Sequence, residues 1–259
     1  MSEKDTWNPT QYERFKNERS RPFFDLVALI RPRPGMKVVD LGCGTGELTL
    51  ELKRKLSGST VLGIDSSAAM LERAAVFRED GLTFAKGEIE GFSEKGTIDL
   101  LFSNAALQWV PDHAELLRRL VAALRPGGQI AVQVPSNFDY PSHVIARELA
   151  EESPFREALG GYYRAPGVLT PEEYAVKLHE LTGTAPEVFL RVYGHLLGSR
   201  DEVLEWVKGT LLTDYQKRMP PELFDRFLAE YRRRLIPRLP DSRPFFYPFK
   251  RLLMWAQLP

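Results

Sequence analysis

Cysteine is nearly missing from this chain of 259 residues: Cys43 stands alone, so no disulfide can close within it. No Cys/His grouping has the spacing of zinc ligands, which predicts no metal site. A lone thiol suits a reducing cytoplasm. Charge of one sign is also missing, since 35 Lys and Arg balance 35 Asp and Glu. That balance argues against a nucleic-acid backbone as the main partner, because such binding needs a cationic excess. No uncharged apolar stretch approaches the roughly 20 residues that cross a bilayer. The charged start, Met1 to Asp5, leads into Trp7, Asn8 and Pro9 with no apolar signal core. Repeats and low-complexity runs are absent, and no Ser-His-Asp or Cys-His arrangement is evident. Together these absences predict a cytoplasmic protein that neither enters membranes nor wraps nucleic acid, and they leave the oligomeric state open.

What is present looks globular, with 43% apolar and 27% charged residues. Short apolar runs without polar alternation occur at Met36–Leu41, Thr60–Ile64, Leu82–Ala85, Ile98–Phe102 and Gln129–Val134. Helical patterns separate them: Glu47 to Leu56, Ser67 to Arg78, and Asp112 to Leu124, the last stopped by Arg125-Pro126-Gly127-Gly128. Such strands read as a parallel sheet covered on both faces. Further strands are predicted near 187–197 and 245–257. The remainder is mostly helical, with an amphipathic stretch over 221–236 that aligns Phe224, Phe227, Leu228, Tyr231 and Leu235. The expected architecture is α/β: a doubly wound, mostly parallel seven-stranded sheet with helical cap insertions. It is read as a single domain over 1–259, with a core at 22–135 and a cap from 1–21, 137–185 and 199–244.

The chemistry concentrates at Asp40-Leu41-Gly42-Cys43-Gly44-Thr45-Gly46. A strand, a loop of alternating glycines and a helix bring backbone N–H groups and a helix N-terminus to a ligand. The dinucleotide fingerprint needs a third glycine at 47, where Glu47 stands, and the Gly-Lys-Ser/Thr of a P-loop is lacking. Asp40 at the strand end would repel a pyrophosphate but accepts hydrogen bonds from an ammonium group. S-adenosylmethionine has such a group and no phosphate. Asp65 closes the second strand, where a carboxylate can take both ribose hydroxyls. Met70 offers a soft surface to an adenine face or, equally, packs its own helix. Turn-forming or capping roles are the plainer alternative for Asp40 and Asp65.

This arrangement resembles the class I S-adenosylmethionine-dependent methyltransferases, a Rossmann-like family, over residues 36–135. The resemblance implies S-adenosyl-L-methionine as cofactor and S-adenosyl-L-homocysteine as product. It places Glu88 and Ile89 at the adenine edge, although Asp is commoner in the family at the position of Glu88. It places Asn104 beside the methionine moiety, and adds Cys43, Ser66, Ala105 and Trp109 to the cofactor contacts. Cys43 reads as a small loop residue, not a nucleophile.

Flanking motifs are similar to those of the trans-aconitate 2-methyltransferases: Trp7-Asn8-Pro9-x-x-Tyr12-x-x-Phe15, Glu18-Arg19-Ser20-Arg21-Pro22, Gly63 to Ser67, Leu107 to His113, Ala131 to Pro135, and Asn137 to Arg147. That family implies monomethyl esterification of a small polycarboxylate. A carboxylate is already ionised at neutral pH, so no general base and no catalytic residue is expected, only positioning. Arginine is the preferred fork for carboxylates, with tyrosine and histidine as further donors. The substrate candidates are Tyr12, Arg19, Arg21, Tyr140, His143, Arg164, Tyr247 and Arg251. Arg232-Arg233-Arg234 reads as a solvated helix face, within a basic C-terminal stretch that can attract anions. Other acceptors stay open, a fatty or carrier-bound acyl carboxylate or a nitrogen or carbon nucleophile. So do a non-catalytic cofactor-binding protein and, less readily, a dehydrogenase.

Overall fold

The computed structural model describes residues 16–259. β1 (Lys37–Leu41) shows why a parallel sheet forms: Val38 to Leu41 are all buried, whichever face their side chains take. β2 (Thr60–Asp65), β3 (Leu82–Lys86), β4 (Ile98–Asn104) and β5 (Leu124–Pro135) run parallel to it. β7 (Phe245–Gln257) pairs antiparallel to β5, and β6 (Glu187–Leu197) forms the outer edge. The order β3-β2-β1-β4-β5-β7-β6 is the seven-stranded, mostly parallel sheet expected from the strand pattern. Its direction of winding reverses between β1 and β4, and open α/β sheets bind ligands outside the carboxyl ends of the strands at such a point.

Capping chemistry places the helices. α1 spans Lys16–Val27 and α2 spans Glu47–Lys55; α2 starts on Gly46 in a left-handed conformation, with Glu47 in its first turn and Lys53 to Lys55 in its last. Those charges oppose the helix dipole at both ends. α3 (Ala68–Ala74) is capped by Ser67, whose hydroxyl accepts from the Met70 amide. α4 (His113–Ala123) is capped by Asp112. Two boundaries differ from the sequence reading. The helix expected to reach Arg78 ends at Ala74 and tightens into a 3₁₀ turn over Ala75–Phe77. β5 starts at Leu124, not Gln129, because the register shifts between Ile98 and Leu100, with Gly127 at φ 70°. The proline and glycines there break the helix and bulge the strand without ending it.

The described residues form two compact units. The α/β unit comprises 17–136, 167–191 and 251–259, and includes α7 (Pro171–Thr182). α7 begins with a full capping box, Thr170 and Glu173, and ends on Gly183. The core of this unit is aliphatic: Val39, Leu41, Leu101, Leu117, Leu120, Ile130 and Val132 are among its buried residues. At the amino end of β4, Asp99 is 1% exposed, accepts from the Lys37 amide at 2.9 Å and from Arg33 at 3.2 Å, and pairs with Arg125. Asp99→Ala is expected to remove about 1–3 kcal/mol of stability, since it leaves the part-buried Lys37 amide and the Arg33 and Arg125 guanidinium groups without their shared acceptor. A urea midpoint unchanged from the parent would refute that.

The helical unit comprises 137–166 and 192–250, with α5 (Pro141–Ala150), α6 (Phe155–Ala158), α8 (Glu202–Lys208), α9 (Thr213–Arg218) and α10 (Pro221–Arg238). Phe224, Phe227, Tyr231 and Leu235 form the buried stripe of α10. Phe227 stacks on Tyr215 with centroids 5.3 Å apart, and the Tyr231 hydroxyl donates to the Ser142 carbonyl at 2.8 Å, tying α10 to α5. Arg232, Arg233 and Arg234 lie on the other face in ion pairs with Asp201, Glu230 and Glu152. Among the described residues no helix is long and apolar enough to cross a membrane.

Candidate functional site

The carboxyl ends of β1, β2 and β4 bring one set of the expected residues together. Gly42, Gly44 and Gly46 all have positive φ, at 77°, 55° and 76°. Their reasons differ. A Cβ on Gly42 would sit 2.2 Å from that of Ala106, and one on Gly46 would strike Ala74 and Phe84. Over Gly44 no atom of the described residues lies within 4 Å of where a side chain would start, so the missing side chain leaves room that these residues do not fill. The loop is held from β2: the Gly42 and Cys43 amides donate to the Ile64 carbonyl at 2.8 and 3.0 Å.

Asp65 joins the loop to the next turn. One carboxylate oxygen accepts from the Gly44 amide at 2.8 Å and the other from the Ser67 amide at 2.9 Å. A carboxylate has about four acceptor positions, so two lone pairs remain for hydroxyl groups. Asp40 is 4% exposed and accepts from the Thr49 hydroxyl at 2.6 Å, in the first turn of α2. Burial pushes its carboxyl up to about 7, the Thr49 hydrogen bond opposes this, and the charge of Asp65 adds to it. A cation beside Asp40 would return it to the ionised form. Burial also drives the Cys43 thiol far above its ordinary range, helped by Asp40 and Asp65, so it is no nucleophile at neutral pH.

Asn104 ends β4, and its side-chain oxygen is buried with no hydrogen-bond partner among the described residues. The same holds for the side-chain oxygen of Gln108, whose amide nitrogen donates to the Ala105 carbonyl at 2.7 Å. Ala105 takes φ 57°, left-handed for a residue with a Cβ, and its amide donates to the Gln133 carbonyl. This kink leads into the 3₁₀ turn Leu107–Trp109. His113 holds the turn from α4: one ring nitrogen meets the Leu107 carbonyl at 2.9 Å and the other meets the Tyr174 hydroxyl. Burial lowers the His113 pKa, so the ring stays neutral and can donate at one nitrogen while accepting at the other.

The remaining expected cofactor contacts flank this set. Met70 is buried on α3, Ile89 is half-buried with a methyl 3.9 Å from where a Gly42 Cβ would stand, and Ser66, Glu88 and Trp109 are exposed. Orphaned carbonyl oxygens, two carboxylates and open space over Gly44 suit a ligand bearing an ammonium group and a ribose. They do not suit a pyrophosphate. The residues fit S-adenosylmethionine.

The expected acceptor contacts are more scattered. Tyr12 lies outside the described residues. Arg19 and Arg21 are on α1, and Arg21 is exposed. Arg251 is 6% exposed on β7 and donates to the Gln133 side-chain oxygen at 3.2 Å. Within the helical unit, Tyr140 is half-buried and meets Tyr247 edge-on at 5.2 Å, and Tyr247 is fully buried with Trp206 and Phe249 packed against it. Arg164 pairs with Asp214 at 3.3 Å, and its backbone amide donates to the Tyr215 hydroxyl. His143 is pushed down to about 3, first by burial, then by the positive charges of Arg164 and Arg147 against the opposing Asp139. It therefore stays a neutral hydrogen-bonding group throughout the physiological range. Gln133 and His113 were not singled out from sequence; their side-chain partners Arg251 and Tyr174 lie 118 and 61 residues away.

Comparison with known proteins is consistent with this geometry. The family described as "Methyltransferase domain" matches residues 32–162. A trans-aconitate 2-methyltransferase of Deinococcus radiodurans is 46% identical over 98% of this chain and 99% of its own length. One of Mycobacterium sp. is 39% identical over 97% of this chain and 99% of its own. Among solved structures, the YcgJ protein of Bacillus subtilis aligns with TM-score 0.60 at 15% identity, over 91% of this chain and 97% of that one. A phosphoethanolamine N-methyltransferase of Haemonchus contortus aligns at TM-score 0.55 and 17% identity, over 92% of this chain and 52% of that one. The structural matches speak for the fold alone.

Proposed function

Since the chain belongs to the trans-aconitate 2-methyltransferase family of methyltransferases, we propose that it esterifies one carboxylate of trans-aconitate with the methyl group of S-adenosylmethionine. What carries the donor half of this reading is the orphaned Asn104 oxygen beside a glycine loop that has no cationic side chain and open space over Gly44. The acceptor half rests on relatedness that runs through the flanks as well as the core.

When bound, the cofactor supplies a methyl group on positively charged sulfur. The protein's part is to hold it and to bring an oxygen into line. Gly44 leaves room for close approach. Asp65 is proposed to take the ribose hydroxyls with its two remaining lone pairs, and Asp40 and Asn104 to receive the ammonium group. Met70, Ser66, Glu88 and Ile89 would border the adenine, with Cys43, Ala105 and Trp109 lining the rest. Arg19, Arg21 and Arg251 are proposed as acceptor contacts from the α/β unit. Tyr140, His143 and Arg164 of the helical unit have the chemistry of anion contacts in their own right. The acceptor carboxylate is ionised at pH 7 and needs no base. Excluding water and fixing the angle of attack are then the main work.

The test is transfer of labelled methyl to a panel of polycarboxylates, with mass analysis of the product. A base-labile monomethyl ester of trans-aconitate is expected. A base-stable product, or transfer only to a nitrogen compound, would rule the reading out.

A further inference from the structure

β5 carries two glutamines four residues apart, and both are fully buried. Their spacing puts them on one face of the strand. Gln129 is engaged at both ends. Its oxygen accepts from the Arg31 amide and the Trp255 indole, each at 2.9 Å, and its nitrogen donates to the Arg31 carbonyl at 2.8 Å. Gln133 is engaged at one. Its oxygen accepts from Arg251 at 3.2 Å, while its amide nitrogen has no acceptor among the described residues. Turning the amide over would face its N–H₂ toward the guanidinium, so Arg251 fixes the orientation. A buried N–H₂ left without an acceptor destabilises the fold, a penalty that Met or Leu at this position would avoid.

The neighbours indicate what the free donor is for. Sheet register sets Asn104 beside Gln133 on one side and Leu253 on the other. Arg251 lies two residues from Leu253, hence on the same face. A row of three polar side chains thus crosses the carboxyl ends of β4 and β5 onto β7. Asn104 offers an acceptor oxygen, suited to a cation. Gln133 and Arg251 offer an amide N–H₂ and a guanidinium, the donor pair that a carboxylate takes.

We propose that Gln133 and Arg251 form a carboxylate-binding subsite for the acceptor acid, one strand over from Asn104. This rests on the methyltransferase reading above and adds a residue to it. Gln133 binds and positions; it exchanges no proton and makes no bond. A carboxylate could equally come from the amino-acid end of the cofactor, and the two sources separate by experiment. Gln133→Met keeps the volume and removes the donor. Gln133→Glu sets a negative charge there, where Arg251 can still pair with it.

Each variant, and the wild type, is titrated calorimetrically with S-adenosylhomocysteine, and then with trans-aconitate while saturated with S-adenosylhomocysteine. Gln133→Met is expected to weaken acid binding by about tenfold and Gln133→Glu by about a hundredfold, the range of one charge-assisted hydrogen bond. The S-adenosylhomocysteine Kd should stay within about twofold, and in turnover KM for the acid should rise with kcat nearly constant. Acid binding unchanged in both variants overturns the proposal. So does weakening of S-adenosylhomocysteine to the same degree, which assigns the carboxylate to the cofactor. Wild-type enzyme that binds a different di- or tricarboxylate, and not trans-aconitate, would overturn the substrate reading alone, and the variants are then titrated with that acid. Binding of no acid overturns both.

Discussion

An Asp40→Asn variant binds S-adenosylhomocysteine roughly 10- to 100-fold more weakly at pH 8, the loss of a hydrogen bond to a charged partner, yet the free protein becomes more stable. Both effects come from one buried carboxyl. In the free protein Asp40 titrates near 7, against an ordinary 3.8, because burial disfavours its charge. The folded state therefore holds a proton that the unfolded chain has released. Stability from this group is complete below about pH 4 and is lost as pH rises through 7. The full shift corresponds to at most roughly 4 kcal/mol. Asparagine never ionises and can still accept from Thr49, so the Tm advantage of the variant over wild type should grow from pH 5 to pH 8. Each kcal/mol is worth roughly 2–4 °C in a protein of this size.

On the proposed binding mode the same titration shapes ligand binding. An ammonium group placed beside Asp40 favours its ionised form, so below pH 7 the ligand would first displace a proton. Wild-type affinity for S-adenosylhomocysteine is expected to fall about tenfold per pH unit from 7 down to 5 and to level off above 7. Asp40→Asn should flatten that slope. Calorimetry at several pH values decides: an equal slope in both proteins would place the titrating group elsewhere.

Alanine at Gly42 and at Gly44 should fail in opposite ways. Both positions have positive φ, which charges any side chain about 1–2 kcal/mol. At Gly42 the new Cβ also lands 2.2 Å from that of Ala106, in a segment fixed by the Ala105 kink and the His113 bridge. Overpacking of that kind adds about 1–3 kcal/mol, so Gly42→Ala should lower the urea midpoint sharply. Gly44→Ala meets no atom of the described residues. Its fold should survive with only the backbone strain, while S-adenosylhomocysteine binding weakens by more than about tenfold as the methyl occupies ligand space. Gly44→Ala protein that binds like wild type would mean the open space over Gly44 is not where the cofactor lies.

The glycine loop was legible because its information is local. Asp40, the three glycines and the absent glycine at 47 sit in one heptapeptide, and the strand–loop–helix context follows from adjacent hydrophobic runs. Asp65 was legible for the same reason, one strand later. The polar row was not. Gln129 and Gln133 look alike in sequence, as two polar residues in an apolar strand, and only their partners, Arg31 and Trp255 against Arg251, tell them apart. Likewise the His113–Tyr174 contact joins residues 61 positions apart, and no local pattern announces it. The bulge that starts β5 at Leu124 was hidden by Pro126 and Gly127, which read as punctuation when taken alone. Arg251 was named from composition and motif, but its link to Gln133 depends on an antiparallel register that hydrophobic pattern cannot set.

Cys43 adds a last consequence. The sole thiol of the chain sits inside the glycine loop, 9% exposed and held in its unreactive protonated form. A thiol reagent reaches it only when the loop opens, so its rate of modification is a clock for that local opening. Every molecule thus carries one built-in timer, with no second sulfhydryl to blur the reading and no label to engineer. Oxidants face the same gate: the loop is shielded from them while it is closed, and a ligand that keeps it closed prolongs that protection.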